Sequence, residues 1–133
     1  MRLATKEDTV ALSQLEMELF PDNCLNETTL GNELEVGRCW VEERDDQIVG
    51  YALVRKGPTL KDLLRLGVRK DYRRQGIGER LLDKVVSENK PTMLTVQKDN
   101  DNALGIYLRT GFKIVGQLDH SSWVMMLEPT AAD

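Results

Sequence analysis

The feature that most constrains this chain is a strand pattern that runs into a basic, glycine-bearing turn and leaves it as an amphipathic helix. Leu63 to Val68 reads as a strand, Arg69-Lys-Asp-Tyr-Arg-Arg-Gln as a loop, and Gly76 and Gly78 open the helix. From about Gly76 to Ser87 the helix places Ile77, Leu81, Leu82, Val85 and Val86 on one side and Glu79, Arg80, Asp83 and Lys84 on the other. A second strand at Thr92–Val96 completes a strand–helix–strand unit, which requires two parallel strands in one sheet.

The surrounding elements are hairpins and helices. Met1 to Ala4 reads as a short strand, and Thr5 with Asp8 resembles a capping box ahead of the stripe Leu12, Leu15, Leu19. Phe20-Pro21-Asp22-Asn23 ends that helix. Asn26 caps a second one through about Val36, with Gly37 as its stop. Cys39–Arg44 and Gln47–Val54 form strands about a tight turn at Asp45-Asp46, and Gly57-Pro58 breaks the run. After Thr92–Val96 come a helix over Asn102–Arg109, strands over Phe112–Leu118 and Trp123–Leu127, and a frayed tail from Pro129. The order β-α-α-β-β-β-α-β-α-β-β contains no repeat and no linker, so residues 1–133 are read as one α/β (α+β) domain with a mixed sheet.

Composition narrows the function. The formal net charge of −4 argues against broad attachment to nucleic acid or an anionic membrane, so a bound anion needs a local positive cluster. Two cysteines, Cys24 and Cys39, and one histidine, His120, do not make a metal site or a disulfide framework. Unpaired cysteines, no apolar run of membrane-spanning length and no apolar leader at Met1 point to the cytoplasm.

The local positive cluster is in the glycine turn, where Arg69, Lys70, Arg73 and Arg74 precede the helix. A first helical turn offers unpaired N–H groups and the positive end of the dipole, and glycines let a phosphate approach the backbone. The turn therefore reads either as a pyrophosphate site or as a tight corner with solvated arginines. It is not a Walker loop, because no Gly-Lys-Ser or Gly-Lys-Thr occurs, and the third glycine of the dinucleotide fingerprint is replaced by Leu81.

Arg73-Arg-Gln-Gly-Ile-Gly resembles the Arg/Gln-x-x-Gly-x-Gly/Ala signature of the GNAT superfamily of N-acetyltransferases. Asn100-Asp-Asn-Ala-Leu-Gly-Ile-Tyr-Leu-Arg-Thr-Gly-Phe resembles that family's Asn-x-x-Ala-x-x-x-Tyr-x-x-x-Gly-Phe segment, and the element order matches from end to end. The chain is loosely similar to ribosomal-protein N-terminal acetyltransferases. The resemblance implies a mostly antiparallel sheet of about seven strands, helices on both faces, and two splayed central parallel strands. It implies acetyl-coenzyme A as cosubstrate and no metal. Leu66, Gly67 and Val68 would bond the pantetheine arm, and the N–H groups of Arg73, Arg74, Gln75, Gly76, Ile77 and Gly78 would hold the pyrophosphate. Asn100 would contact the arm or nearby backbone, and Ala103 would let the following helix pack close to it.

Within that resemblance the chemistry is attack of a neutral amine on a thioester. A backbone N–H near Val68 would stabilise the developing oxyanion, and Tyr107 stands where the family commonly places the general acid for the departing thiolate. The base is open. Thr95 occupies a position where relatives often carry Glu. Asp62 is the candidate by analogy, with Glu42, Glu43 or a water relay as alternatives. A weak base favours amines of low pKa, such as α-amines. The expected partner is an amine on a peptide, protein or small molecule, without nucleic acid or membrane, and a homodimer is compatible with the fold. A non-catalytic acetyl-coenzyme A-binding module is the second class. Pro21–Leu34 and Leu118–Ser122 are the loops expected to define the acceptor.

Overall fold

The computed structural model describes residues 1–86 and 90–129. The end of the third helix at Ser87 and the tail over 130–133 lie outside the described residues. Among the described residues seven strands form one sheet: β1 (Arg2–Leu3), β2 (Gly37–Arg44), β3 (Gln47–Lys56), β4 (Lys61–Val68), β5 (Thr92–Gln97), β6 (Lys113–Asp119) and β7 (Ser122–Leu127). Their spatial order is β1-β2-β3-β4-β5-β7-β6, and every pairing is antiparallel except β4 with β5. Four α-helices among the described residues cover it: α1 (Thr9–Leu19), α2 (Glu27–Val36), α3 (Ile77–Val86) and α4 (Asp101–Thr110).

The helices divide between two apolar layers. On one face Leu12, Leu15 and Leu30 of α1 and α2 pack on Cys39, Val41, Tyr51 and Leu53. On the other, Ile77, Leu81, Leu82 and Val85 of α3 and Tyr107 of α4 pack on Val49, Ala52, Val54, Leu63, Leu94 and Val96. Val86 is only half-buried against this second layer, rather than part of its buried stripe.

Several local details follow from the residues. Asp45 and Asp46 have φ of 53° and 61°, the left-handed pair that a two-residue hairpin turn needs and that aspartate tolerates. A 3-10 turn over Lys6–Asp8 precedes α1, and the Asp8 carboxylate accepts the Thr5 N–H at 2.7 Å. Gly37 is not a left-handed helix stop: its backbone is extended, and it starts β2 directly after α2. A Cβ there would lie 2.0 Å from the Val54 carbonyl oxygen, so close backbone approach is what requires glycine. The strand expected to start at Leu63 starts at Lys61, a lysine only 1% exposed whose ammonium donates to the Val85 carbonyl. A charged letter hid those two residues of strand.

The sheet opens at its centre. β4 and β5 pair only at Lys61↔Thr92 and Asp62↔Met93, after which they diverge. Against β3, β4 carries an extra residue at Leu64, since Leu53 faces Arg65 while Val54 faces Leu63. A bulge bends its strand and increases the local twist, which fits a strand leaving its neighbour two residues after pairing starts.

Candidate active site

The gap between β4 and β5 opens into two cavities. The first, of about 680 Å³, is bordered by the end of β4, the glycine turn, and the start of α4. The second, of about 580 Å³, is bordered by β4 and β5, the loop after α1, and Tyr107. Leu19, Phe20, Leu66, Asn100 and Ala103 line both, which joins them through the gap.

The glycine turn is shaped by φ angles. Arg74 at 64° and Gly76 at 76° are both left-handed, and such residues among extended or helical neighbours turn successive N–H groups toward one concavity. Arg73, Arg74, Gly76, Ile77 and Gly78 all line the first cavity. Gly78 needs no special φ, but a Cβ there would stand 3.5 Å from Ile106 Cδ1 and 3.9 Å from Val68 Cγ2, two residues of the cavity wall. Gln75 is not part of the lining; its carbonyl accepts Arg80 Nη1 at 3.0 Å and its side chain accepts from Arg44 at 3.4 Å. The basic cluster is divided. Arg69 is drawn away by Gln47 at 3.1 Å and Glu18 at 3.5 Å, while Arg73 and Arg74 stay at the cavity.

Backbone polarity on β4 follows from strand alternation. The Arg69 N–H donates to Val49 on β3 at 2.8 Å, so the Val68 amide groups face the opposite edge, toward the gap, and so do those of Leu66. The Val68 carbonyl accepts Arg73 Nε at 3.0 Å instead of a strand bond. Gly67 lies between them and lines the first cavity.

Asn100 caps α4, accepting the Ala103 N–H at 3.3 Å. Tyr107 is 6% exposed and lines the second cavity. The far end of α4 explains its setting. Gly111, at φ 112°, ends the helix, and the N–H groups of Gly111 and Phe112 both donate to the Tyr107 carbonyl, at 3.2 and 3.0 Å. Phe112 thereby returns against the Tyr107 ring, with centroids 5.7 Å apart and a tilt of 59°. Burial raises the Tyr107 phenol above its ordinary pKa.

Asp62 does not join this group. It lies on the still-paired end of β4, opposite Arg55 and Met93, and lines neither cavity. Four residues of strand, about 13 Å, separate it from Leu66. Glu42 is engaged by Arg44 and Arg80 at 3.5 and 3.7 Å, and Glu43 by Arg2, all outside the cavities. Thr95 does line the second cavity, with Ser122 and the loop residues Pro21, Asp22 and Asn23.

Sequence reasoning passed over Tyr72, Asn102, Ile106 and Arg109 in the first cavity. The last three were findable, since Asn102, Ile106 and Arg109 recur at helical spacing along one face of α4. It also passed over Arg65 in the second cavity, for which no local signal exists.

Among the described residues no cluster of three or more His, Cys, Asp or Glu could hold a metal, and no helix is long and apolar enough to cross a membrane.

A mixed sheet opened between two parallel strands, with a glycine turn at one mouth, is an acyltransferase architecture. The Acetyltransferase (GNAT) domain family matches residues 8–128, and the chain belongs to that family. It is 31% identical over 121 residues to Uncharacterized protein ML0378 of Mycobacterium leprae (strain TN), covering 84% of this chain and 34% of that protein. It is 30% identical over 106 residues to human N-acetyltransferase 8B, covering 71% of this chain and 47% of that protein. The matched regions thus span a third to a half of those relatives. Among solved structures, the ribosomal-protein-S18-alanine N-acetyltransferase of Escherichia coli superposes with a TM-score of 0.84 at 19% identity, covering 99% of this chain and 94% of that one. Arabidopsis thaliana NAA60, solved with a bisubstrate analogue, gives 0.82 at 19% identity with 98% of each chain covered. PaiA N-acetyltransferase of Thermoplasma acidophilum, solved with coenzyme A, gives 0.75 at 18% identity, covering 96% of this chain and 99% of that one.

Proposed function

We propose that the chain is an N-acetyltransferase that moves an acetyl group from acetyl-coenzyme A to a primary amine by direct attack in a ternary complex. The observation that carries this reading is the gap between β4 and β5, which joins a glycine-turn cavity to a second cavity lined by Tyr107. Binding of coenzyme A to PaiA and of a bisubstrate analogue to NAA60 supports the assignment of the two cavities.

In this reading the N–H groups from Arg73 to Gly78 hold the pyrophosphate, with Arg73 and Arg74 supplying charge. The gap-facing amides of Leu66 and Val68 hold the pantetheine arm in the place of a strand. Gly67 keeps that edge narrow, and Ala103 and Asn100 at the start of α4 close the other side. The Val68 N–H polarises the thioester carbonyl, and the amine comes through the second cavity. Tyr107 gives its proton to the leaving thiolate. Its raised pKa keeps it protonated throughout the neutral range, so the acid is always charged with its proton; close placement must offset the weaker driving force.

No step is assigned to Asp62, because it lies outside both cavities. A water held by Thr95 or Ser122 takes the amine proton. The acceptor is a peptide, protein or small-molecule amine, and an α-amine suits a site in which no carboxylate is assigned as base. Two free cysteines, exposed Cys24 and buried Cys39, fit a cytoplasmic setting. Thiol release from acetyl-coenzyme A, followed over a panel of α-amines and ε-amines, tests the proposal. Amine-dependent release supports it. Tight cofactor binding without release for any amine would make the chain a binding module instead.

A further inference from the structure

The acceptor-side cavity contains a built feature that acetyl transfer does not require. Glu16 of α1 is 0% exposed, yet it carries a carboxylate. Its oxygens accept from three separate elements: the Tyr51 hydroxyl on β3, the Leu25 N–H at 2.8 Å in the loop before α2, and Arg65 Nε at 3.3 Å on β4. Arg65 is fixed a second time by the Asn23 carbonyl, which accepts its Nη2 at 2.7 Å, and a third time by the Phe20 ring, 4.7 Å beneath the guanidinium carbon. Asn23, Phe20 and Arg65 all line the cavity that Tyr107 lines.

We propose that Arg65 is the specificity-determining residue of the acceptor cavity and receives a carboxylate carried by the amine acceptor. The proposal rests on the acetyl-transfer reading for its meaning, and on geometry for its support. The two protein hydrogen bonds leave three of the guanidinium's five N–H groups, including both on Nη1, without a described acceptor. Glu16 cancels the formal charge, but it is enclosed and shared among three donors, whereas the Arg65 side chain keeps 19% exposure. Arg65 lines the cavity and the buried Glu16 does not. A planar fork held on one side and free on the other is suited to a carboxylate, and a lysine cannot reproduce it. The other described side chains of the lining are neutral except the exposed Asp22, so Arg65 is the group in the lining that distinguishes an acid from its amide.

The carboxylate has two possible sources: the α-carboxylate of a free amino acid, or an acidic side chain next to a peptide α-amine. Both are tested by equilibrium binding to the full chain saturated with coenzyme A, which needs no turnover and is therefore independent of whether acetylation is observed. N-acetylglycine is compared with N-acetylglycinamide, and N-acetylaspartyl-glycinamide with N-acetylasparaginyl-glycinamide. One acid binds about tenfold or more tightly than its own amide, and the pair that shows the difference identifies the source. Arg65→Gln makes acid and amide equal. Arg65→Lys, which keeps a cation beside Glu16 and guards against misfolding of the first variant, retains a reduced preference. Retained coenzyme A affinity shows that each variant is folded. Equal binding of acid and amide in both pairs, no binding by any of the four, or a preference that survives in Arg65→Gln overturns the proposal.

Discussion

On the glycine-turn side of the gap, the cavity wall comes largely from two short stretches, 66–79 and 100–109, each folded around its own local signals. Left-handed residues at Arg74 and Gly76, the Asn100 cap and the turn at Gly111 are consequences of a few neighbouring letters. In the second cavity, the wall joins α1, the loop after it, β4, β5, Ser122 of β7, and Ala103 and Tyr107 of α4, and its interactions span long stretches of chain. Glu16 reaches 35 residues to Tyr51 and 49 to Arg65. The contrast teaches that the cavity read as the cofactor's is built from compact motifs, while the one read as the acceptor's is set by contacts that only the folded sheet creates.

The largest expected effect belongs to Tyr107, in the wall of the second cavity. Tyr107→Phe keeps the ring against Phe112 and should preserve cofactor affinity, but turnover should fall by about 10²–10⁴-fold if proton donation is its work. Single-turnover thiol release checks this. Unchanged turnover with chemistry rate-limiting would reduce Tyr107 to a core aromatic, and the acid would have to be water or the acceptor.

A stability measurement sharpens the contrast. Glu16→Ala removes the carboxylate from three donors and leaves the Tyr51 hydroxyl buried without it, so urea unfolding should show a loss of about 3–5 kcal/mol. A loss below about 1 kcal/mol would mean the long-range network is dispensable.

How much was legible follows the same division. The amphipathic spacing of α3, the Asp45-Asp46 hairpin and the segment from Asn100 to Phe112 each contain their own instructions within about a dozen residues, and the described parts formed as read except that Val86 is only half-buried. The glycine-turn residues were placed at a cavity, except that Gln75 turned its side chain to Arg44. Asp62, the candidate base by analogy of position, lies on the paired end of β4, four residues of strand from Leu66 and in neither cavity lining. Arg65 and Glu16 could not be found, because an isolated charge in an apolar stripe reads the same whether it is solvated or buried with a partner dozens of residues away. The Lys61 start of β4 was hidden for the same reason.

Alkaline pH probes the buried layers next. Burial raises the Cys39 thiol from 9.0 to about 12, and burial raises Tyr107, while burial and the nearby Glu16 charge raise Tyr51, both above the ordinary 10.0. In each case the neutral form is favoured in the native state, so this contribution is full below the unfolded-state values. Stability should therefore hold to about pH 9 and then fall, first as unfolded Cys39 ionises and more steeply above pH 10 as the unfolded tyrosines do. Denaturation midpoints at several pH values check the sign; a midpoint that rises above pH 10 would contradict it.

The smallest effect belongs to exposed charge. Arg74→Ala should weaken acetyl-coenzyme A binding by no more than about fivefold at low salt, with the difference shrinking as salt rises. Arg73 is the poorer probe, because it also holds the Val68 carbonyl. A salt-independent loss would indicate a geometric role for Arg74.

Whether the glycine-turn cavity seats acetyl-coenzyme A is read from calorimetric titration of wild type and Gly78→Val. Gly78 has an ordinary backbone, unlike Gly76 at φ 76°, so a side chain there changes the cavity without straining the turn. Its Cβ would enter beside Ile106 and Val68, at 3.5 and 3.9 Å, and the valine methyls would extend farther into the space the ligand needs. The wild type should show one saturable site and the variant an affinity at least about tenfold weaker, equivalent to about 1.4 kcal/mol, with the ligand-free melting temperature little changed. Equal affinity in the two proteins would contradict that seating and place the coenzyme elsewhere.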